Sequence, residues 1–457
     1  MPGIDSLSTL IKRLSLGDRL IRRNPLRYPA ARAWIAQHAQ ATLQQRRELT
    51  LHQLRRSLRV AATTAYGRSA GGSSDIADWP LLEKPVLRNS PRAFRTASSW
   101  LAGEASTSGT TGLQIPLLRS LGSMTVEQAY IDGVIEQLGS KPRTARVAIL
   151  RGENVKSAED RTPPYWIHGG NGQRLHMSCS HLGPDTIHAY AMALKEFKPD
   201  VLWVYPSNLE WLCHLLQKSD LTLRIPHVLS SSEVLGPVTW RLAEQVLGAN
   251  VADYYGQAER VTFGYALRHG DFRFTPGYAH LELLPLDTAG AVTRHEIVGT
   301  TLWNNAMPLV RYRTGDFVEL PSHWGPAEIE EVIYGLRPIS GILGRTIEYL
   351  VSPEGAILNG AGNLTKGVNN VVRLQLFQPD LATVQVRVLV QPPFSPQDLA
   401  KLQRNARDNI PPSMAVSVEV VEELERTAIG KTPLVIHGDA MRQYLAGKQL
   451  TDGRETR

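Results

Sequence analysis

Between residues 146 and 247, short apolar runs alternate with amphipathic segments. This alternation restricts the fold more than any other feature of the chain. Residues 146–150 (Arg-Val-Ala-Ile-Leu) and 200–205 (Asp-Val-Leu-Trp-Val-Tyr) read as buried strands, and residues 227–229 open a third. Residues 185–197, 209–216 and 238–247 space their apolar side chains at helical intervals. Strand followed by helix, several times over, predicts α/β architecture with parallel sheets.

The flanking regions differ in kind. The first 60 residues read as helices, broken near Asn24-Pro25 and Tyr28-Pro29. They carry 12 Lys/Arg against 3 Asp/Glu, a local net charge of +9 in a chain whose total is +7. Arg22, Arg23, Arg46, Arg47, Arg55, Arg56 and Arg59 lie among Leu and Ala at helical spacing. A basic amphipathic helix suits an anionic membrane or a nucleic acid. No aromatic interleaving or nucleic-acid motif accompanies it, so a surface helix packed on the body of the protein is expected. Residues 272–320 are dominated by short strands and turns, as in a β-rich subdomain. Beyond residues 341–345 come strands at 371–377, 384–390 and 416–421 and a helix at 396–409, a small α+β unit. The expected domains are therefore a basic helical segment at 1–60 packed on a large domain at 61–343, and a small domain at 344–457.

Some function classes fall away on composition. No apolar run reaches 18 residues, so no transmembrane segment is expected. The N-terminus has neither an apolar core nor a small-residue cleavage site, which predicts a cytoplasmic protein. Cys179 and Cys213 give no disulfide framework or zinc spacing and are expected to be packed thiols.

Four segments carry chemistry. Residues 106–112 read Ser-Thr-Ser-Gly-Thr-Thr-Gly; their hydroxyls and close-approaching glycine backbone suit phosphates, and equally suit a solvated linker. Residues 253–259 read Asp-Tyr-Tyr-Gly-Gln-Ala-Glu. There Tyr255 can stack on a base and Glu259 can bind a hard cation, although an aromatic and a carboxylate beside a glycine turn are commonly structural. Residues 311–316 read Arg-Tyr-Arg-Thr-Gly-Asp, where Asp316 can accept from ribose hydroxyls or simply satisfy its own turn. Gly344-Arg345 at the domain break and Gly430-Lys431 in a C-terminal loop complete the series; alone, Lys431 reads as a surface lysine.

Order and spacing make the combination specific. It resembles the adenylate-forming superfamily of acyl-CoA synthetases and related ligases. Within that superfamily it is most similar to the phenylacetate–CoA ligase branch, on the side of its capsular-polysaccharide-associated members. Lys198-Pro199, Tyr205-Pro206-Ser207, Ser231-Ser232-Glu233 and Gly256-Gln-Ala-Glu-Arg260 carry the finer resemblance, which runs from about residue 40 to residue 437.

The resemblance implies ATP- and Mg²⁺-dependent activation of a carboxylic acid, aryl or arylacetic by the habit of the branch, to an acyl-AMP. Transfer to a thiol follows, CoA first and a carrier-protein phosphopantetheine or an amine second. It implies phosphate binding by Ser106, Thr107, Ser108, Gly109, Thr110, Thr111 and Gly112. It places Tyr255 and Gly256 at adenine, Asp316 at the ribose, Arg345 near the nucleotide at a hinge, and Glu259 with Thr111 at the metal. Lys431 would bridge the attacking carboxylate and the α-phosphate, delivered by a rotating small domain. The acyl pocket would form around Tyr205, Ser207, Ser231, Ser232, Glu233 and Tyr254. No nucleic-acid partner is implied, and a homodimer is left open.

The chain departs from the family pattern in three places. Residues 113–116 lack the nearby lysine, Ile347 replaces the first hinge acid, and Ala258 stands where Ser or Thr is common. The hinge change leaves open a nucleotide-binding member without turnover. Retention of Glu259, Asp316, Arg345 and Lys431 argues against it. His168-Gly-Gly-Asn-Gly172 looks like an esterase oxyanion loop, yet no Gly-x-Ser-x-Gly elbow follows. Neither the dinucleotide fingerprint nor the P-loop spacing is met.

Overall fold

Helix α1 (Tyr28–Gln40) leads into helix α2 (Leu43–Ala62), whose start is fixed by a capping box. Gln45 N–H donates to Thr42 Oγ1 (3.3 Å) and Thr42 N–H donates to Gln45 Oε1 (2.9 Å). Leu54, Leu58 and Ala61 fall on one face of α2 and pack with Trp79, Leu302 and Val310. Arg55, Arg56 and Arg59 on the opposite face are exposed. The computed structural model describes residues 17–106, 115–151, 155–156, 160–343, 350–353, 357–358, 364–365, 368–411, 413–426 and 432–452.

The chain divides into two compact units, Met1–Gly344 and Arg345–Arg457. In the first, β1 (Gly103–Ser106) and β2 (Pro116–Arg119) form an antiparallel hairpin, followed by helix α3 (Leu121–Gln137). Asp132 on α3 is wholly buried and ties the N-terminal region to the body. Arg23 grips it with two bonds of 2.7 Å, Tyr28 Oη donates at 2.6 Å and Gln128 at 2.8 Å.

An eight-stranded sheet follows. Its members are β3 (Val147–Leu150), β4 (Trp166–Gly169), β5 (Arg174–Met177), β6 (Val201–Val204), β7 (His227–Ser231), β8 (Asn250–Gly256), β9 (Phe263–Ala266) and β10 (Phe272–Phe274), in the spatial order β10-β9-β8-β7-β6-β3-β5-β4. β5, β3, β6, β7 and β8 run parallel; β4 at one edge and β9 and β10 at the other join antiparallel. The parallel strands are apolar on both sides because helices α4 (Ile187–Phe197), α5 (Pro206–Lys218) and α6 (Pro237–Leu247) share one core with them. The α/β class expected from the alternation is the class found, with a sheet that is mixed at its edges.

His168 and Gly169 end β4, and residues 170–172 lie in the β4–β5 connection. Gly170, Asn171 and Gly172 all have positive φ there, so the glycines serve a tight turn. The β-rich region is a three-stranded antiparallel sheet of β11 (Ala279–Ala289), β12 (Val292–Thr301) and β13 (Tyr312–Pro321). Cys179 and Cys213 are free and buried. Among the described residues no helix is long and apolar enough to cross a membrane.

The second unit contains the short pair β14 (Leu350–Val351) and β15 (Ile357–Leu358) and a four-stranded sheet. That sheet is ordered β18-β17-β16-β19, from β16 (Val371–Asp380), β17 (Thr383–Val390), β18 (Ala415–Val420) and β19 (Val435–His437). Helix α7 (Pro396–Asn409), capped by Ser395, buries Leu402 and Ala406 with Leu376, Val384, Val386 and Val388. A last helix spans Asp439–Asp452.

Candidate functional site

Parallel strands end together, and side chains just past their carboxyl ends face one crevice. Here that edge gathers Arg151 after β3, Tyr205 after β6, residues 231–233 at the end of β7, and residues 254–259 at and beyond the end of β8. The residues expected at the acyl pocket and several of those expected at the nucleotide therefore share one edge of the sheet.

Two hydrogen bonds join the segment at 253–259 to the segment at 311–316. Tyr255 Oη donates to Asp316 Oδ2 at 2.5 Å. In the opposite sense, Tyr312 Oη donates to Glu259 Oε1 at 2.6 Å. The Gln257 amide also donates to the Tyr255 hydroxyl, which orients the ring. Tyr312, Glu259 and Asp316 are all buried. The Asp316 turn is built by its own sequence. Gly315 takes φ +69°, and Thr314 Oγ1 accepts from the Asp316 N–H at 3.0 Å. Both arginines of this segment are committed to the fold: Arg311 pairs with Glu282, and Arg313 with Glu296 and Glu83.

The base of the hydroxyl-rich loop meets the same place. Ser106 is exposed at the end of β1, opposite Pro116. Ile115, Leu117 and Leu118 pack in one cluster with Val261 and Tyr312, against which Ala105 and Ala258 rest. Arg119 at the end of β2 donates to the Ala258 carbonyl at 2.9 Å. Three segments spread over more than two hundred residues thus share one small core.

Glu259 carries the feature most relevant to a metal. Tyr312 satisfies Oε1, whereas Oε2 is buried with no hydrogen-bond partner among the described residues. Such an oxygen is costly unless something positive reaches it. A hard cation held by one carboxylate, phosphate oxygens and water is the usual Mg²⁺ arrangement, so the donor present fits that ion. Among the described residues no group of three or more His, Cys, Asp or Glu gathers to form a closed metal site.

On the acyl side, Glu233 accepts from Ser207 N–H (2.9 Å) and Ser207 Oγ (3.0 Å) and so fixes the turn after β7 to the start of α5. Tyr205, the residue before α5, is buried. Ser231 Oγ accepts from Trp203 Nε1 at 3.3 Å. Ser232 adopts φ +73° and is exposed. Tyr254 pairs with Ser231 across β7 and β8.

Three residues near this edge were not singled out in the sequence. Arg151 donates to Tyr254 Oη and Ser232 Oγ and lies over the Trp203 ring. A cation directly after a buried strand was the only signal. Tyr312 was visible in its motif, but its bond to Glu259 needs the fold. Asp253, paired with Ser230, has its carboxyl pushed up to about 7 by burial. Thr107, Ser108, Gly109, Thr110, Thr111, Gly112, Arg345 and Lys431 lie outside the described residues.

Comparison with known proteins agrees with the resemblance in the motifs. Residues 350–438 match the family model described as the CapK C-terminal domain. The chain is 21% identical to protein CapK of Staphylococcus aureus over 69% of its own length and 70% of that protein. It is 29% identical to a phenylacetate-coenzyme A ligase of Pseudomonas putida, over 35% of this chain and 36% of that ligase. Among solved structures, a 2-hydroxyisobutyryl-CoA ligase in the postadenylation state superposes with a TM-score of 0.59 at 15% identity, covering 88% of this chain and 91% of that one. The fold is that of the adenylate-forming ligases.

Proposed function

We propose that this relative of CapK and of phenylacetate-coenzyme A ligase is an acid–thiol ligase. It would activate a carboxylic acid, aryl or arylacetic in the first instance, with ATP and pass the acyl group to CoA. The observation that carries the reading is the reciprocal pair of bonds Tyr255–Asp316 and Tyr312–Glu259. It ties together the ring proposed for the base, the carboxylate proposed for the ribose and the carboxylate proposed for the cation.

In the first step a carboxylate oxygen attacks the α-phosphorus, the bond to the β-phosphate oxygen breaks, and pyrophosphate leaves. In the second, the CoA sulfur attacks the acyl carbonyl and AMP departs. The protein forms no covalent bond in either step, so alignment and charge neutralisation supply the rate. Asp316 accepts from the ribose hydroxyls, and Tyr255, held by Asp316 and Gln257, presents its ring to the base. The backbone and hydroxyls of residues 106–112 hold the β- and γ-phosphates. Glu259, with Thr111, would hold Mg²⁺, which would offset phosphate charge. Lys431 neutralises the repulsion between the incoming carboxylate and the α-phosphate, and Arg345 contacts the nucleotide.

A pyrophosphate-release screen over a panel of carboxylic acids, with and without CoA, tests the reading. Release that depends on the acid, with thioester appearing only when CoA is added, is the expected result. Release without CoA but transfer only to an amine or a carrier-protein thiol would replace the acceptor. No acid-dependent release would overturn the proposal.

A further inference from the structure

We infer that Arg151 reads a second anionic group on the acid, so that the preferred substrate bears a negative charge at the end remote from the carboxylate that is activated. This rests on the adenylation reading above. Arg151 follows β3 and is half-buried at the carboxyl edge of the sheet. Its guanidinium lies 4.4 Å from the centre of the Trp203 ring and 5.5 Å from that of Tyr205. Among the described residues its hydrogen bonds run to neutral hydroxyls: Tyr254 Oη at 3.3 Å, Ser232 Oγ at 3.4 Å, and Tyr205. The first two are long for N–H···O bonds and are weak enough to give way. Among the described residues Arg151 has no carboxylate partner; the nearby Glu233 carboxylate is taken by Ser207. Elsewhere in this unit the guanidiniums of Arg23, Arg311 and Arg313 are neutralised by Asp132, Glu282, Glu296 and Glu83.

A guanidinium lying over aromatic rings has lost part of its hydration, and a planar anion can recover that cost by a bidentate bond. The position favours the acyl group over the nucleotide. Successive residues of a strand point to opposite faces. Arg151 bonds Tyr254, whereas the nucleotide candidates Tyr255 and Asp316 bond each other. Trp203 and Tyr205 supply flat apolar walls on the same side, as an acid with an aromatic or short aliphatic spacer requires.

Matched acids test this. Pyrophosphate release is measured for phenylacetate, para-phenylenediacetate and its monoamide, and for benzoate, terephthalate and its monoamide, with the wild-type protein and with Arg151→Gln and Arg151→Lys. The wild type is expected to favour the diacid over the matched neutral acid by roughly tenfold or more in kcat/KM, the scale of a charge-assisted bond. Arg151→Gln should erase that preference and leave the KM for ATP within about twofold, and Arg151→Lys should retain part of it. Circular dichroism and ATP binding show that the variants are folded; if Arg151→Gln is not, the wild-type preference and Arg151→Lys decide. A wild-type preference for the neutral member of each pair, or a rise in the KM for ATP with the diacid preference intact, would overturn the inference and leave the ligase reading standing. Silence with every acid would overturn the ligase reading, and this inference with it.

Discussion

Asp253 precedes the two tyrosines that face the acyl and nucleotide candidates, and burial raises its carboxyl from an ordinary 3.8 to about 7. The folded protein therefore keeps a proton that the unfolded chain has released, throughout the interval between those values. Stability conferred by that proton is present in acid and declines as pH rises toward 7. Asp253→Asn, neutral at every pH, should remove this decline. Unfolding midpoints at about pH 5 and about pH 8 should converge in the variant relative to the wild type; parallel profiles would contradict the assignment. Tyr312 offers a second test at this scale. It donates to the carboxylate proposed to bind the metal, and loss of such an outer partner typically weakens metal binding about 10–100-fold. Tyr312→Phe should raise the Mg²⁺ needed for half-maximal pyrophosphate release, and Glu259→Gln should raise it further. Unchanged Mg²⁺ dependence in both variants would remove Glu259 from the metal. Glu259 and Asp316 were candidates in the sequence because the order of their motifs resembles that of the adenylate-forming ligases. Arg151 could not, since a lone cation after a strand belongs to no pattern until the neighbouring strands are placed beside it.

At the scale of elements, legibility followed burial. The strands at 146–150, 200–205 and 227–229 were readable because central parallel strands are apolar on both faces. β4 and β5 were not, because Trp-Ile-His-Gly at the sheet edge and Arg-Leu-His-Met beside it mix polar and apolar residues. Helix α3 escaped for the opposite reason. It is buried nearly all round, including Thr125, Gln128 and Asp132, and so has no polar stripe to mark a helical period. In the second unit the helix expected at 396–409 is found at Pro396–Asn409, capped by Ser395 and with Pro396 in its first turn. Three-residue β19 was too short to show a period. Asp132 also supplies the prediction that belongs here. Asp132→Ala would leave the buried Arg23 guanidinium with only the partly exposed Asp18 as counter-charge and remove the acceptor of Tyr28 and Gln128, and should cost roughly 3 kcal/mol in urea unfolding. A loss below about 1 kcal/mol, the range of an exposed pair, would show that the N-terminal helices are not pinned by this residue.

At the scale of the whole molecule, the chain is two units with separate cores, and the described part of the first brings the Tyr255, Glu259 and Asp316 segments together without help from the second. The proposed division of labour follows from that. On the proposed reading the first unit would orient nucleotide and acid, and Lys431 of the second would relieve charge repulsion between them. The central claim is that the acid's own oxygen attacks the α-phosphorus, and it is tested most directly by following that oxygen. An acid found in the screen is labelled with heavy oxygen in its carboxylate and converted to thioester, and the AMP is analysed by mass spectrometry. Adenylation predicts one labelled oxygen transferred to the phosphate of AMP; AMP without label, or label recovered in inorganic phosphate beside ADP, would contradict it.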